Sequence, residues 1–169
     1  MGMASPPVCY ASHVQADELD EAAFFRGLAV AGVRYLLIGR RALVALGAPV
    51  MTSDYALWVA FDDVEKLNAV AQPFELEPTQ LPEGARQRGR YVLEGPEHVD
   101  VMMARSQSSK DGHTLRFDDA YARRVSLPAY GATVDVPCVD DLIATKRWAL
   151  RPKDVLDIQF LEALRKVNP

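Results

Sequence analysis

The stretch from residue 36 to residue 59, LLIGRRALVALGAPVMTSDYALWV, constrains the fold more than any other part of the chain. An apolar run rich in strand formers ends at Gly39, and a short helix over 42–47 is ended by Gly47. Pro49 prevents that helix from continuing, and a second strand follows. A strand, a helix and a strand within so few residues predict an α/β domain.

The second strand, residues 53–60, is predicted to place an acidic side chain on one face of the sheet. Alternation puts Asp54, Ala56 and Trp58 on one face and Tyr55 on the other. The free N–H groups at the start of the preceding helix should lie near this acidic face. Such an arrangement suits an anion held beside a metal ion.

A second acidic residue, Asp100, stands alone in the apolar segment HVDVMM. A carboxylate within an apolar strand is costly unless something pairs with it. Two interpretations are open: Asp100 lines a functional site, or it forms a structural ion pair, for example with Arg40 or Lys146.

The remaining periodicity predicts helices and short strands throughout a single domain of residues 17–169, preceded by a flexible tail of residues 1–16. The expected fold is an α/β domain, a mixed twisted sheet with helices packed on it. The predicted elements are a helix over 17–31 capped by Asp17, a strand over 33–39, a helix from Asp62 or Asp63, a loop over 73–89, strands over 91–94 and 98–103, a polar excursion over 104–118, a hairpin of 125–127 with 133–136, and helices over 139–150 and 152–167.

Composition excludes several classes of protein. Nineteen basic residues against twenty-three acidic ones give a net charge of −4, which argues against an extended nucleic-acid surface. No apolar run reaches the roughly 18 residues that span a bilayer, and the N-terminal sequence does not read as a secretory signal. The two cysteines, Cys9 and Cys138, fit a reducing compartment. We therefore expect a cytoplasmic protein without a membrane contact.

The order of these motifs resembles the nucleotidyltransferase superfamily, particularly small bacterial members such as AbiEii-type toxins, minimal nucleotidyltransferases and antibiotic nucleotidyltransferases. Those families carry an apolar strand, a Gly-Gly or Gly-Ser pair, a short helix and a Thr shortly before an Asp-x-Asp, with a third Asp on a later strand. The counterparts here are LLIG, ALVALG, Thr52, Asp54 and Asp100. The ending VPCVDDLIATKRWALRPKDVLDIQFL is also similar, so the likeness covers about residues 28–164.

The resemblance implies a role for each matching residue. Asp54 and Asp100 would be the catalytic carboxylates and the ligands of Mg²⁺, and Asp100 would also activate the acceptor hydroxyl. The nucleotide and its phosphates would be held by Gly39, Arg40, Thr52 and Lys146. The implied reaction transfers a nucleoside monophosphate from an NTP to a hydroxyl group whose carrier the sequence does not specify.

Two departures from the family pattern are as informative as the matches. Arg40 replaces the second residue of the Gly-Gly or Gly-Ser pair, and Ala56 replaces the second carboxylate of Asp-x-Asp. A two-ion site without its bridging carboxylate should bind Mg²⁺ weakly and lose most of its transfer activity unless another acid substitutes. Arg40 itself has two interpretations: it contacts a phosphate, or it neutralises Asp54 in place of a metal ion.

A basic stretch formed by Arg86, Arg88 and Arg90 would share one face of an extended segment. A solvated strand edge is the commoner meaning of such a pattern, and a phosphate or RNA contact is the alternative.

Two hypotheses of function therefore stand side by side. The first is a degenerate nucleotidyltransferase that uses an NTP. The second is a non-catalytic module that binds a nucleotide or a protein partner, as in toxin–antitoxin pairs, and it is favoured by Ala56 and Arg40.

Overall fold

The computed structural model describes residues 18–168. The tail expected over residues 1–16 and the helix cap expected at Asp17 lie outside the described residues. Within these residues the helices are α1 (Glu21–Val30), α2 (Gly39–Ala45), α3 (Val64–Ala71), α4 (Pro82–Arg88), α5 (Phe117–Ala122), α6 (Val139–Arg147) and α7 (Pro152–Val167). The strands are β1 (Tyr35–Ile38), β2 (Tyr55–Val59), β3 (Glu77–Pro78), β4 (Arg90–Glu94), β5 (His98–Met102), β6 (Ser106–Ser108), β7 (Thr114–Arg116), β8 (Val125–Ala129) and β9 (Ala132–Val136).

Five strands form a mixed sheet in the order β1-β2-β5-β4-β3. Strands β2 and β5 run parallel, whereas each of the other neighbouring pairs is antiparallel. The mixed sheet with helices packed on it, expected from the sequence, is confirmed.

The register of this sheet fixes which side chains meet on one face. Ile38 pairs with Ala56, Ala56 pairs with Asp100, and Asp100 pairs with Val92. These four residues therefore form one row across the sheet, on a common face. In the next row along the strands, Trp58 pairs with Met102, which pairs with Arg90.

The two faces of the sheet are covered differently. One face carries the larger core, in which Tyr55, Leu57 and Val101 are buried in one cluster with Phe24 of α1 and Leu67 of α3. The opposite face carries a smaller core around Trp58, which packs edge-to-face against Trp148 and Phe117. The indole N–H of Trp58 donates to the carbonyl of Ala104 at 2.8 Å, so this buried polar atom is satisfied. The rest of that face is open.

The described chain departs from the expected elements at several places. Helix α2 spans Gly39–Ala45, where a helix over 42–47 was expected. The first helix begins at Glu21, and Asp20 is its cap, accepting a hydrogen bond from the Ala23 N–H at 3.0 Å. The expected loop over 73–89 contains β3 and α4. The expected excursion over 104–118 contains the hairpin of β6 and β7 and the start of α5.

The last two helices and the preceding hairpin agree with the sequence pattern. Strands β8 and β9 pair across Tyr130 and Gly131, both of which have positive φ angles. Helix α7 begins at Pro152, where proline's fixed φ suits the first turn. No helix among residues 18–168 is both long enough and apolar enough to cross a bilayer.

Candidate functional site: a cleft on the open face of the sheet

The uncovered part of the sheet forms the floor of a cleft of about 1000 Å³. Strands β2, β5 and β4 form this floor, which is also called the strand wall below. The end of α6 and the start of α7 form the opposite side, called the helix wall. The residues that line it are Ile38, Gly39, Ala56, Thr79, Gln80, Arg88, Arg90, Tyr91, Val92, Asp100, Val101, Met102, Thr145, Lys146, Trp148, Ala149, Arg151 and Asp154. Its volume is at the upper end of the range for small-molecule sites.

Gly39 stands at the turn from β1 into α2, at one edge of the cleft. Its φ of +70° is one that residues with a side chain rarely adopt. A Cβ atom at this position would lie 3.5 Å from the Cβ of Ala56. Position 56 therefore faces the turn directly, and any longer side chain there would enter the space beside it.

Asp100 lies in the middle of the cleft floor, opposite Ala56 in the sheet register. Its side chain is 57% exposed, and within residues 18–168 it has no Arg or Lys partner. Its ionisable neighbour is His98, whose Nε2 lies 3.5 Å from Asp100 Oδ1 while its Nδ1 lies 3.0 Å from Glu94 Oε1. Asp100 is thus open to solvent and to a ligand.

Asp54 and Thr52 lie before β2 and outside the lining of the cleft. Asp54 immediately precedes Tyr55, the first residue of β2, and its side chain is exposed. Its backbone N–H donates to Thr52 Oγ1 at 3.2 Å, so the Thr52 hydroxyl is engaged in a local turn. The structure therefore brings Ala56 and Asp100 together, while Asp54 is not among the residues that line the cleft.

Arg40 and Lys146, both expected at the phosphates, contact one buried carboxylate instead. Lys146 Nζ lies 2.8 Å from Asp157 Oδ2, and Arg40 Nε lies 3.4 Å from the same oxygen. Asp157 is only 1% exposed and Lys146 5%. Arg40 thus pairs with Asp157 of α7, and the expected alternatives of a pair with Asp54 or with Asp100 are not what the structure shows.

A second carboxylate of α7 completes this cluster. Asp154 Oδ1 lies 3.7 Å from Lys146 Nζ, and its Oδ2 accepts hydrogen bonds from the backbone N–H and the Nε of Arg151. Burial alone would raise the pKa of Asp154, but these hydrogen bonds and the nearby positive charges hold the pKa below its ordinary value. Arg40, Lys146 and Arg151 with Asp154 and Asp157 are named the α7 ion cluster below.

The three arginines expected on one extended edge have different environments. Arg86 belongs to α4, where it forms two hydrogen bonds with Glu65 and one with the carbonyl of Phe61. Arg88 and Arg90 are exposed, line the cleft, and have no carboxylate partner among the described residues. The prediction that these three arginines share one face of an extended segment is therefore wrong, because residues 82–88 are helical.

The residues present do not fit a two-ion magnesium site. Within residues 18–168 no group of three or more His, Cys, Asp and Glu side chains is arranged to hold a metal ion. Asp100 is exposed on the floor, position 56 offers a methyl group, and Asp154 is already bound by Arg151 and Lys146. A two-ion site needs carboxylates that bridge both ions.

Sequence reasoning missed Asp154 and Asp157 as partners of the basic residues, and His98 as the neighbour of Asp100. The spacing of Asp154 and Asp157 on one helix face was a usable signal, since residues three apart in a helix share a face. Because buried carboxylates need cationic partners, this spacing predicts that basic side chains lie close to Asp154 and Asp157.

Comparison with solved structures finds the same fold in nucleotidyltransferases at low sequence identity. The antibiotic-resistance factor ANT(2'')-Ia matches with a TM-score of 0.60 and 12% identity over 82% of this chain and 78% of that one. The lincosamide antibiotic adenylyltransferase LnuA, in its lincomycin-bound form, matches with a TM-score of 0.57 and 13% identity over 80% and 89%. A nucleotidyltransferase candidate from Thermotoga maritima, TM1012, matches with a TM-score of 0.51 and 13% identity over 85% and 86%.

No protein-family model matches the sequence, and no curated protein matches it either. The likeness to solved structures agrees with the order of motifs along residues 36–59 and with the mixed sheet that those residues build. The chain has the fold of the nucleotidyltransferase superfamily.

Proposed function

We propose that this chain binds a nucleoside triphosphate in the cleft and that its capacity for nucleotide transfer is degenerate. The observation that carries the proposal is the position of Ala56, which lies between Gly39 and Asp100. In the family pattern that residues 36–59 resemble, the second carboxylate of Asp-x-Asp stands at this position, and here the side chain is a methyl group.

Nucleotide binding is supported by the size and the lining of the cleft. A volume of about 1000 Å³ accommodates a nucleotide, and the lining combines apolar side chains such as Met102 and Trp148 with the cationic Arg88 and Arg90. An aromatic and apolar surface suits a base, while guanidinium groups suit phosphates.

Degeneracy of the transfer activity is supported by the absence, within residues 18–168, of a second carboxylate beside Gly39. Transfer of a nucleotidyl group requires strong stabilisation of the negative charge that develops on the phosphate, which paired metal ions supply. Loss of one carboxylate weakens the attraction for such ions. Neither Arg40 nor Lys146 replaces the metal ions as a source of positive charge at the phosphate, because both side chains are bound to Asp157.

Slow transfer to a hydroxyl acceptor is the second candidate, and it has one observation in its favour. Asp100 is exposed on the cleft floor without an Arg or Lys partner among the described residues. A carboxylate in that state is able to accept the proton of an incoming hydroxyl. The two candidates differ in what Asp100 does to a bound nucleotide.

Calorimetric titration with ATP, in Mg²⁺ and in EDTA, tests the proposal in the wild type and in Asp100→Asn. If metal is dispensable, Asp100 only repels the phosphates, and Asp100→Asn should bind ATP as tightly as the wild type or more tightly in both buffers. Asp119→Asn, an exposed change of the same charge in α5, is the matched control.

Two results would overturn the proposal. Absence of ATP binding by the wild type would leave a protein-binding role. ATP binding that requires Mg²⁺ and is lost in Asp100→Asn, together with transfer of labelled AMP, would establish an active enzyme.

A further inference from the structure

The cleft face of β4 and β5 is segregated by charge along the strands. Glu94 pairs with His98 at one end, Val92 pairs with Asp100 in the middle, and Arg90 pairs with Met102 at the other end. Consecutive rows on one face are two residues apart, or roughly 7 Å. On this face of the sheet Arg90 is therefore one row from Asp100, which also lines the cleft, and two rows from Glu94, which lies outside the lining.

Arg88 reinforces the basic end. It is the last residue of α4, and Gly89 in a left-handed conformation turns the chain from that helix directly into β4. Arg88 and Arg90 therefore flank a single tight turn, and both line the cleft. Both arginines are exposed residues.

These two arginines differ from most others in the described chain. Arg86, two residues before Arg88, is held by Glu65 at 2.8 and 2.5 Å and lies against the ring of Phe61. Arg34, Arg123 and Arg151 are likewise bound to carboxylates. No carboxylate of residues 18–168 pairs with Arg88 or Arg90, so their donors are available to a ligand.

We infer that Arg88 and Arg90 form an anion subsite that holds a phosphate group of the ligand in the cleft. Guanidinium groups bind phosphate through two parallel hydrogen bonds, which favours a phosphate over a neutral ligand. A polycationic ligand would be repelled from this end of the cleft. The inference rests on the proposed function and specifies that the ligand bears phosphate.

Two kinds of ligand carry a phosphate that this subsite would recognise, and the hydrogen bonds from the arginines are the same for both. The row of Arg90 is roughly 7 Å from the row of Asp100, within the reach of a triphosphate chain whose nucleoside lies in the cleft. It is equally within the reach of a phosphate group carried by a second substrate.

Tripolyphosphate, which has no nucleoside, is the probe that tests the subsite. We expect it to bind the full-length protein in EDTA at low ionic strength, and Arg88→Gln/Arg90→Gln to weaken that binding by about tenfold or more. Arg88→Lys/Arg90→Lys, which keeps the charge and loses the paired donors, should give an intermediate affinity. Arg116→Gln, an exposed arginine of β7 that does not line the cleft, is the matched control and should bind like the wild type.

Competition with ATP identifies the source. Displacement of tripolyphosphate by ATP assigns the subsite to the triphosphate of the nucleotide, whereas simultaneous binding assigns it to the phosphate of a second ligand. The inference is overturned if the wild type does not bind tripolyphosphate, or if the double glutamine variant binds it as tightly as the control. Arginine-dependent binding of tripolyphosphate without any binding of ATP would support the subsite and contradict the proposed nucleotide site.

Discussion

The two walls of the cleft treat their charges in opposite ways. On the helix wall, Lys146 and Arg151 are bound to Asp154 and Asp157, and these carboxylates are almost completely buried. On the strand wall, Asp100 and Arg90 are exposed and have no strong ion pair within residues 18–168. Charges on the first wall hold the protein together, and charges on the second are available to a ligand.

This difference shows that a residue that matches a family motif can have a structural role instead of contacting a ligand. The residues KRWALRPKD, 146–154, resemble a nucleotide-binding ending, yet Lys146 is used to neutralise Asp157. A buried charge requires a partner, and removing that partner costs far more than removing an exposed charge. The comparison therefore predicts that changes on the helix wall lower stability, while changes on the strand wall alter ligand binding.

Removal of the central cation should have the largest effect. Lys146→Met leaves Asp157 with Arg40 alone, and it leaves Asp154 with Arg151 alone. We expect the free energy of unfolding to fall by about 3 kcal/mol, as it does when a buried pair loses one member. Urea denaturation followed by circular dichroism measures the change.

Lys153→Met, at an exposed position near the start of α7, is the control and should change stability by no more than about 0.5 kcal/mol. Equal stability of Lys146→Met and the wild type would show that the α7 ion cluster does not hold the helices together.

Replacement of the outer cation should have a smaller effect. Arg40 is 27% exposed and lies 3.4 Å from Asp157, which keeps its shorter contact with Lys146. Arg40→Gln should therefore lower the free energy of unfolding by about 1 kcal/mol. An unchanged affinity for ATP in this variant would agree with the placement of Arg40 outside the cleft lining, whereas a large loss of affinity would return it to the phosphates.

Acidification should weaken the α7 ion cluster through Asp154. Its pKa is lower in the folded protein than in the unfolded chain, so its ionised form contributes stability above the ordinary carboxyl range. That contribution is lost as the pH falls from the ordinary carboxyl range through the lowered pKa of the folded state. Thermal unfolding of the wild type and Asp154→Asn should therefore differ most near neutral pH and converge in acid. A difference that stays constant down to acidic pH would contradict this assignment.

The strand wall should show the smallest effect on stability. Arg88→Gln/Arg90→Gln removes two exposed charges that have no partner in the described residues. We expect a change in the free energy of unfolding within about 0.5 kcal/mol, measured by the same urea titration. A large loss would mean that these arginines support the fold, and it would weaken their assignment to a ligand.

Local pattern was sufficient to predict the elements that build the floor of the cleft. Residues 36–59 carry their own strand alternation, and the helix between them is bounded by Gly39 and Gly47. The loop expected over 73–89 failed for a different reason. Helix α4 has seven residues, of which Ala85 alone is buried, and Arg86 contacts Glu65 and the carbonyl of Phe61. Such tertiary contacts leave little periodicity in the sequence.

The candidate site was predictable only in part. The side of the strand that carries Ala56 followed from alternation, but its pairing with Asp100 depends on the register of two strands distant in sequence. The bond between Lys146 and Asp157 joins two helices, so no spacing rule within a single helix identifies it. Resemblance to a family assigned Lys146 to the phosphates, although the similar ending also contains Asp157, the buried carboxylate that Lys146 contacts.

Restoration of the missing carboxylate is the most direct test of the account. Ala56→Asp places an acid beside Gly39 and opposite Asp100, and Arg40 need not be changed because it is bound to Asp157. Calorimetry should show that ATP binding by Ala56→Asp is tighter in Mg²⁺ than in EDTA, while the wild type and the uncharged Ala56→Asn show little dependence on Mg²⁺. If ATP binding by Ala56→Asp gains no dependence on Mg²⁺, or if ATP binding by the wild type already depends strongly on Mg²⁺, then the missing carboxylate at position 56 does not account for the degeneracy.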